Sequence, residues 1–213
     1  MRTAPVAAAE AAPSGVDPET SRRPSANEVL VVRILREVTE ELAAELWSVH
    51  EEAFVDFPDQ SAFLMPCTED EFAGYMSNPQ VQKVVVWVDG VVAGFTLNAI
   101  DVRDVWWVDA RFFDRRYPGR SVLYVMYSAI AAAHRGPRVI RAMFETGLEW
   151  AAERDMIVAF DTSNFNVERR FVDLIERIAK RATGSHVAEL SSQHFYALDS
   201  GTNRRAPSQP AAE

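Results

Sequence analysis

The first apolar segments of the chain predict a strand followed by a helix. The β-branched run from Val29 to Leu35 predicts a first strand. After Thr39, which can cap a helix, apolar side chains recur three and four positions apart and predict an amphipathic helix that ends at Phe57-Pro58. The apolar face of this helix holds Leu42, Leu46, Val49, Ala53 and Phe54.

A capping box and a hairpin follow. Thr68-Glu-Asp-Glu71 has the pattern in which the first and fourth residues cap each other's backbone, so it predicts the start of a short helix. Asp89-Gly90 separates two apolar segments, 83–88 and 91–100. Because this dipeptide tolerates the positive φ values of a tight turn, the segments predict a β-hairpin.

The second half alternates strands with helices. Five aromatic residues between Trp106 and Tyr117 are compatible with a helix before Pro118-Gly119 forces a turn. Residues 121–133 begin as a strand, and a loop follows at 133–138. A regular amphipathic helix comes next, with apolar positions at Ile140, Met143, Phe144, Gly147, Leu148 and Ala151.

The last elements complete an alternating order. Met156–Phe160 predicts a short buried strand, and a helix with an apolar stripe from Phe171 to Ala182 follows. The segments His186–Leu190 and His194–Leu198 predict two final strands. The order predicts an α/β fold with a mixed central sheet and helices on both faces.

The two ends of the chain lack any hydrophobic period. Residues 1–27 are rich in Ala, Pro and Ser, and residues 200–213 are similar, so both predict disordered tails. One folded domain is therefore expected at residues 28–199, within a chain of 213 residues.

Charge and cysteine content narrow the function classes. The net charge of −9 argues against nucleic acid as the main partner, because binding phosphates needs a basic surface. Cys67 is the single cysteine and the histidines lack ligand spacing, so neither a disulfide within the chain nor a metal site is expected. The longest apolar run, residues 122–133, is shorter than the roughly 20 residues that cross a bilayer. With no signal-peptide pattern, a cytoplasmic protein without a membrane partner is expected.

The order of elements between Val29 and Asp199 resembles the GNAT acyltransferase superfamily. The best local match is the strand, loop and helix of residues 121–154. In this family, backbone N–H groups of a glycine-rich turn bind the pyrophosphate of acyl-CoA at the helix N-terminus. Arg135 and Gly136 match the start of that turn, while Ala133 stands where the family has a proline.

The later part of the turn departs from the family. Arg138 and Ile140 stand where glycines are expected. They keep the backbone N–H groups, but their side chains leave a phosphate less room. Arg135, Arg138 and Arg141 can add charge-assisted bonds to phosphate oxygens. The resemblance thus implies cofactor contacts from Arg135, Gly136, Arg138, Val139, Ile140 and Arg141, although an arginine run also fits a solvated basic loop.

The resemblance also implies contacts for the pantetheine arm. Its amides would pair with the central strand at Ser128, Ala129 and Ile130, where a bulge or splay would free an N–H group for the thioester carbonyl. Asn164 occupies a position where the family often contacts pantetheine. It fits a helix cap equally well, as does Asn166.

Proton transfer has several candidates. The frequent general-acid tyrosine of the family falls on Phe171, which cannot donate a proton. The remaining candidates are Tyr124 and Tyr127 on the central strand, His134 at its end, and Asp109 or Glu145 nearby. The two tyrosines are three positions apart and are expected on opposite faces, with Tyr127 preferred because it lies nearer the expected splay. Packing is the alternative role for either tyrosine.

The resemblance implies an acyltransferase that moves an acyl group from acyl-CoA, acetyl or longer, to an amine of a small-molecule acceptor. The altered turn raises a second reading, a carrier-protein-dependent N-acyl amino acid synthase, because carrier-linked pantetheine lacks the adenosine diphosphate. A third reading is a non-catalytic GNAT-like domain that binds a ligand or partner. A homodimer is compatible with all three. The aromatic segment 106–117 fits an apolar acyl or acceptor pocket as well as a core helix.

Overall fold

Five strands form one mixed sheet in the order β1-β2-β3-β4-β5 in the computed structural model, which describes residues 28–55 and 67–193. Neighbouring strands from β1 to β4 are antiparallel, whereas β4 and β5 are parallel. The strands are β1 (Leu30–Leu35), β2 (Val81–Val88), β3 (Val91–Ala99), β4 (Val122–Ile130) and β5 (Ile157–Phe160).

Six α-helices connect or flank these strands in the described residues. They are α1 (Glu40–Phe54), α2 (Glu69–Ser77), α3 (Ala110–Arg116), α4 (Pro137–Ala152), α5 (Asn164–Glu168) and α6 (Phe171–Thr183). Short 3₁₀ turns lie at Val102–Asp104 and Ala132–His134.

Local sequence signals set several boundaries as predicted. The Thr39 hydroxyl accepts a hydrogen bond from the Leu42 N–H, and Thr68 and Glu71 form the complete capping box. In the β2–β3 hairpin, Asp89 and Gly90 have φ values of 50° and 83°, the left-handed turn that this dipeptide accommodates.

Two hydrophobic layers sandwich the sheet. One layer packs α1 and α2 against the sheet and includes Leu46, Phe72 and Phe95. The other packs α4 and α6 against the opposite face around Met143 and Ile178. Helices therefore cover both faces, which confirms the predicted α/β class with a mixed sheet.

Two sequence predictions are wrong in detail. Residues 185–193 have no regular structure, so the predicted strand His186–Leu190 does not form. The Glu176 carboxylate instead binds the His186 ring and accepts a hydrogen bond from the Val187 N–H. The aromatic helix is also shorter than predicted, because the Asp109 carboxylate caps α3 and leaves Trp106 and Trp107 before it.

Other expectations fall outside the described residues. These are the strand His194–Leu198, the end of the first helix at Phe57-Pro58, and the tails at 1–27 and 200–213. In the part of the chain that the structure describes, no helix combines the length and the apolar character needed to span a bilayer.

Candidate active site

Strand β4 carries one extra residue relative to β3. Leu97 pairs with Tyr127, but the next residue of β3 pairs with Val125, so Met126 is a β-bulge. A bulge shifts the alternation of side chains along its strand. Tyr124 and Tyr127 consequently both lie in the α1-side layer, and the expectation that they face opposite ways is wrong.

Strands β4 and β5 stop pairing directly before this bulge. Their pairing runs from Val122 opposite Ile157 to Val125 opposite Phe160, where β5 ends. The rest of β4, up to Ile130, pairs with β3. The place where the two parallel strands stop pairing, called the cleft below, lies at their carboxyl ends, which is where open α/β sheets bind ligands.

The β4 edge of this cleft exposes backbone hydrogen-bonding groups. The Ala131 N–H donates to the Ala93 carbonyl at 3.0 Å, on the β3 side. Backbone groups alternate sides along a strand, so those of Ser128 and Ile130 point away from β3 toward the cleft. No described strand pairs with that edge. An extended chain with amides can add there as a strand would.

The N-terminus of α4 also retains free donors. A helix leaves its first four N–H groups without partners inside the helix. Here the residues are Gly136 at the N-cap, Pro137, Arg138 and Val139, and no side chain caps them. Pro137 has no N–H, so Gly136, Arg138 and Val139 hold the free donors. Together with the helix dipole they favour an anion.

The three arginines of this turn have different partners. Arg138 donates to the Glu28 carboxylate at 3.0 Å and to the Glu28 carbonyl at 2.7 Å. Arg141 donates to the Glu145 carboxylate at 2.7 Å. Arg135 makes no ion pair with any described residue and is exposed. Of the three, Arg135 therefore holds the guanidinium that is not already bound to a carboxylate.

Two of the predicted bases have structural partners. Glu145 binds Arg141, as noted, and the Asp109 carboxylate accepts hydrogen bonds from the backbone and side chain of Arg111. His134 is half-buried at the end of the 3₁₀ turn, and its backbone N–H donates to the Ala131 carbonyl. The sequence did not reveal Glu52, whose carboxylate accepts from the Ala132 N–H at 3.1 Å.

Tyr127 belongs to a buried polar cluster with Cys67 and His50. The Tyr127 ring contacts the His50 ring at 5.8 Å, its hydroxyl interacts with the Cys67 thiol, and the Cys67 Sγ lies 3.4 Å from the His50 Nε2. Burial raises the pKa of Tyr127, and burial followed by the charge of Glu71 raises the pKa of Cys67 to about 11. Burial also lowers the pKa of His50 to about 4. All three groups are therefore uncharged at neutral pH, and no thiolate–imidazolium pair forms.

Tyr124 belongs to a second group, which includes Asp161. Asp161 follows the last residue of β5 and its side chain is half-buried. Tyr124 pairs with Ala159, two residues earlier on β5, and its hydroxyl interacts with the Asp161 carboxylate. Burial raises the pKa of Asp161, and the bond from Tyr124 partly opposes that shift. The Trp107 ring contacts the Tyr124 ring edge to face. Sequence reasoning missed Asp161, although a carboxylate directly after a buried strand was the available signal.

The remaining predicted residues lie in the segment after β5. Asn164 is exposed and is the first residue of α5, while Ser163 is its N-cap, so Asn164 is not a cap. Asn166 lies within α5 and does not cap the next helix either. Phe171 contacts Phe144 and Phe160 in the α4-side layer, with ring centroids 6.1 and 6.4 Å away. Phe171 is thus a packing residue.

Among the described residues, no group of three or more His, Cys, Asp or Glu side chains is arranged to hold a metal ion. No family model matches the sequence, and no curated protein matches it.

Solved structures do match the fold. The aminoglycoside N-acetyltransferase AAC(6')-Iy, in complex with CoA, has a TM-score of 0.51 at 15% identity, over 81% of this chain and 97% of that one. The aminoglycoside acetyltransferase meta-AAC0020 from an uncultured soil metagenomic sample, in complex with sisomicin, has a TM-score of 0.51 at 12% identity, over 79% and 95%. The ribosomal-protein-alanine N-acetyltransferase of Brucella melitensis biovar Abortus 2308 has a TM-score of 0.50 at 14% identity, over 79% and 99%. These structures show that the chain has the GNAT fold.

Proposed function

We propose that this chain, which has the GNAT fold, is an N-acyltransferase that moves an acyl group from acyl-CoA to an amine of a small-molecule acceptor. The observation that carries the proposal is the cleft between β4 and β5. One wall of the cleft is the unpaired edge of β4 at Ser128 and Ile130. The chain beyond that edge leads to the uncapped N-terminus of α4. An amide-bearing arm ending in a pyrophosphate fits these two features in this order.

In this proposal the donor binds through backbone groups. The two amides of pantetheine pair with Ser128 and Ile130 in the manner of an added strand. The pyrophosphate lies at the N-terminus of α4, where the N–H groups of Arg138 and Val139 and the guanidinium of Arg135 bind its oxygens. The bulge at Met126 turns an N–H of β4 toward the thioester oxygen, where negative charge develops during attack.

Proton transfer in this proposal uses groups on the α1 side of β4. The amine must lose a proton to attack the carbonyl carbon, and the departing sulfur must be neutralised. Tyr127 is the proposed acid, since its raised pKa keeps the hydroxyl protonated and it follows the bulge directly. His134 lies farther along, in the 3₁₀ turn beyond β4, and is the second candidate.

One observation favours a second donor class. Pro137 removes one N–H from the turn, and Ile140 stands where the GNAT turn has a glycine. Both changes weaken pyrophosphate binding at the turn, whereas the backbone groups on the β4 edge are unaffected. A carrier-protein thioester, whose phosphopantetheine lacks the adenosine diphosphate, would use the edge alone. This donor would suit an N-acyl amino acid synthase.

The test measures release of free thiol from acetyl-, octanoyl- and palmitoyl-CoA in the presence of a panel of primary amines. We expect amine-dependent thiol release with at least one of these donors, and competition by free CoA. Release from an acyl-carrier protein but from none of the CoA esters would replace the donor. Binding of CoA without turnover of any amine would favour a domain that binds ligands without catalysis.

A further inference from the structure

Asp161 is a half-buried carboxylate without a positive partner. No arginine, lysine or histidine forms an ion pair with it among residues 28–55 and 67–193, and the one titratable side chain that influences its ionisation is that of Tyr124. A buried charged group elsewhere in the described chain does have partners. Lys83, for example, is fully buried and donates to the carbonyls of Arg36 and Asn78.

An unpaired carboxylate in this position is costly. Taking a charge out of water without a compensating charge or hydrogen bonds opposes folding. The Tyr124 hydroxyl and the Asp161 backbone N–H interact with this carboxylate, and its two oxygens have further acceptor sites. A positively charged group that enters the cleft would use them.

The surroundings of Asp161 add further acceptors. Thr162 and Ser163 follow it directly, and each has a buried hydroxyl oxygen with no hydrogen-bond partner in the described chain. Ser163 is 6% exposed. A primary ammonium has three donors, so it can bind the carboxylate and a neighbouring hydroxyl at once. The two hydroxyls without partners therefore point to a hydrogen-bonding ligand independently of the carboxylate.

Aromatic rings lie next to Tyr124. The rings of Trp107 and Tyr124 meet edge to face with centroids 6.4 Å apart, and the Trp106 ring contacts that of Trp107 at 5.5 Å. Trp106 is 85% exposed, an unusual state for so large an apolar side chain. Aromatic faces attract organic cations, tryptophan most strongly. A carboxylate beside tryptophans favours a cationic ligand with an apolar body.

We propose that Asp161, supported by Tyr124 and Trp107, binds the ammonium group of the acceptor, and that the acceptor is a primary amine with an apolar or aromatic body. The role as acceptor site rests on the proposed acyltransfer function. The binding of an organic cation at Asp161 does not, so it can be tested by itself.

The experiment is calorimetric titration of the full chain with phenethylamine and with its neutral isostere 2-phenylethanol, at pH 7.5. Wild-type protein should bind phenethylamine and bind 2-phenylethanol at least about tenfold more weakly. Asp161→Asn should weaken phenethylamine binding by about tenfold, the loss expected for one charged hydrogen bond. Tyr124→Phe should weaken it by a smaller factor. The matched control is Asp155→Asn, which changes an exposed aspartate before the opposite end of β5.

Three results would overturn the inference: no binding of phenethylamine, equal binding of the neutral isostere, or unchanged binding by Asp161→Asn. The comparison of the two ligands on wild-type protein decides the matter even if Asp161→Asn does not fold. A parallel titration with CoA separates the two proposals. CoA binding without amine binding would refute this inference alone, and amine binding without CoA binding would refute the acyl-CoA donor alone.

Discussion

His50 should make the stability of this chain depend on pH in a specific window. Its side chain is 1% exposed, stacks on Trp47 and contacts the Cys67 Sγ. Burial lowers its pKa in the folded state to about 4, whereas an unfolded chain protonates it near 6.5. Below pH 6.5 the unfolded state binds a proton that the folded state does not, so stability falls as the pH falls from 6.5 toward 4.

The magnitude follows from the gap between the two pKa values. Each pKa unit corresponds to about 1.4 kcal/mol, so the full gap amounts to about 3 kcal/mol. Between pH 7.5 and 5.5 the protonation of His50 in the unfolded chain should remove about 1 kcal/mol of the free energy of unfolding. This part is specific to His50 and adds to the effects of other titrating groups.

The assay is urea unfolding of the wild type and His50→Gln at pH 7.5, 6.5 and 5.5. His50→Gln removes the imidazole, so the difference in stability between the two proteins should shrink by about 1 kcal/mol on going to pH 5.5. The control is His186→Gln, because His186 is an exposed histidine bound to Glu176. A difference for His50→Gln that stays constant across the three pH values would refute the assigned burial and neutrality of His50.

Three further comparisons test the packing of β3 against β4, the turn before α4, and the source of the proton. Gly94→Ala would place a Cβ 2.8 Å from a β4 carbonyl oxygen and should destabilise the fold by about 1–3 kcal/mol. Gly74→Ala, in a helix with no atom within 4 Å, should stabilise by up to about 1 kcal/mol, and urea unfolding compares the two. Arg135→Glu should weaken CoA binding about tenfold at low salt and less at high salt, while Arg154→Glu at the far end of α4 should not, by calorimetry. Tyr127→Phe should lower kcat by about 100-fold or more with little change in the donor KM, and a near wild-type rate would assign it to packing.

The fold class could be predicted because its signals are local. The capping box at Thr68 and the Asp89-Gly90 turn depend on residues within a few positions of each other, and both form as predicted. The predicted alternation of strands and helices in the second half of the chain also forms. The strand at His186–Leu190 failed because Glu176, on α6, binds that segment instead, and periodicity within the segment does not encode this contact.

The candidate site was harder to predict because it depends on register and on distant contacts. The bulge at Met126 exists through the pairing of β4 with β3, and it reverses the face that Tyr127 would occupy in a regular strand. The Arg138 guanidinium pairs with Glu28, 110 residues away in sequence, a contact that the local pattern does not encode. Asp161 and Tyr124 meet because β4 and β5 are parallel neighbours, which the order of elements alone did not specify.

The central claim is that the donor pairs with the open edge of β4, and amide hydrogen exchange measured by NMR tests it residue by residue. Ala131 donates to Ala93 and should exchange slowly with or without ligand. The amides of Ser128 and Ile130 face the cleft, so they should exchange faster in the free protein and slow down markedly when acetyl-CoA is added. Saturating acetyl-CoA that binds but leaves the exchange of both amides unchanged would contradict the account.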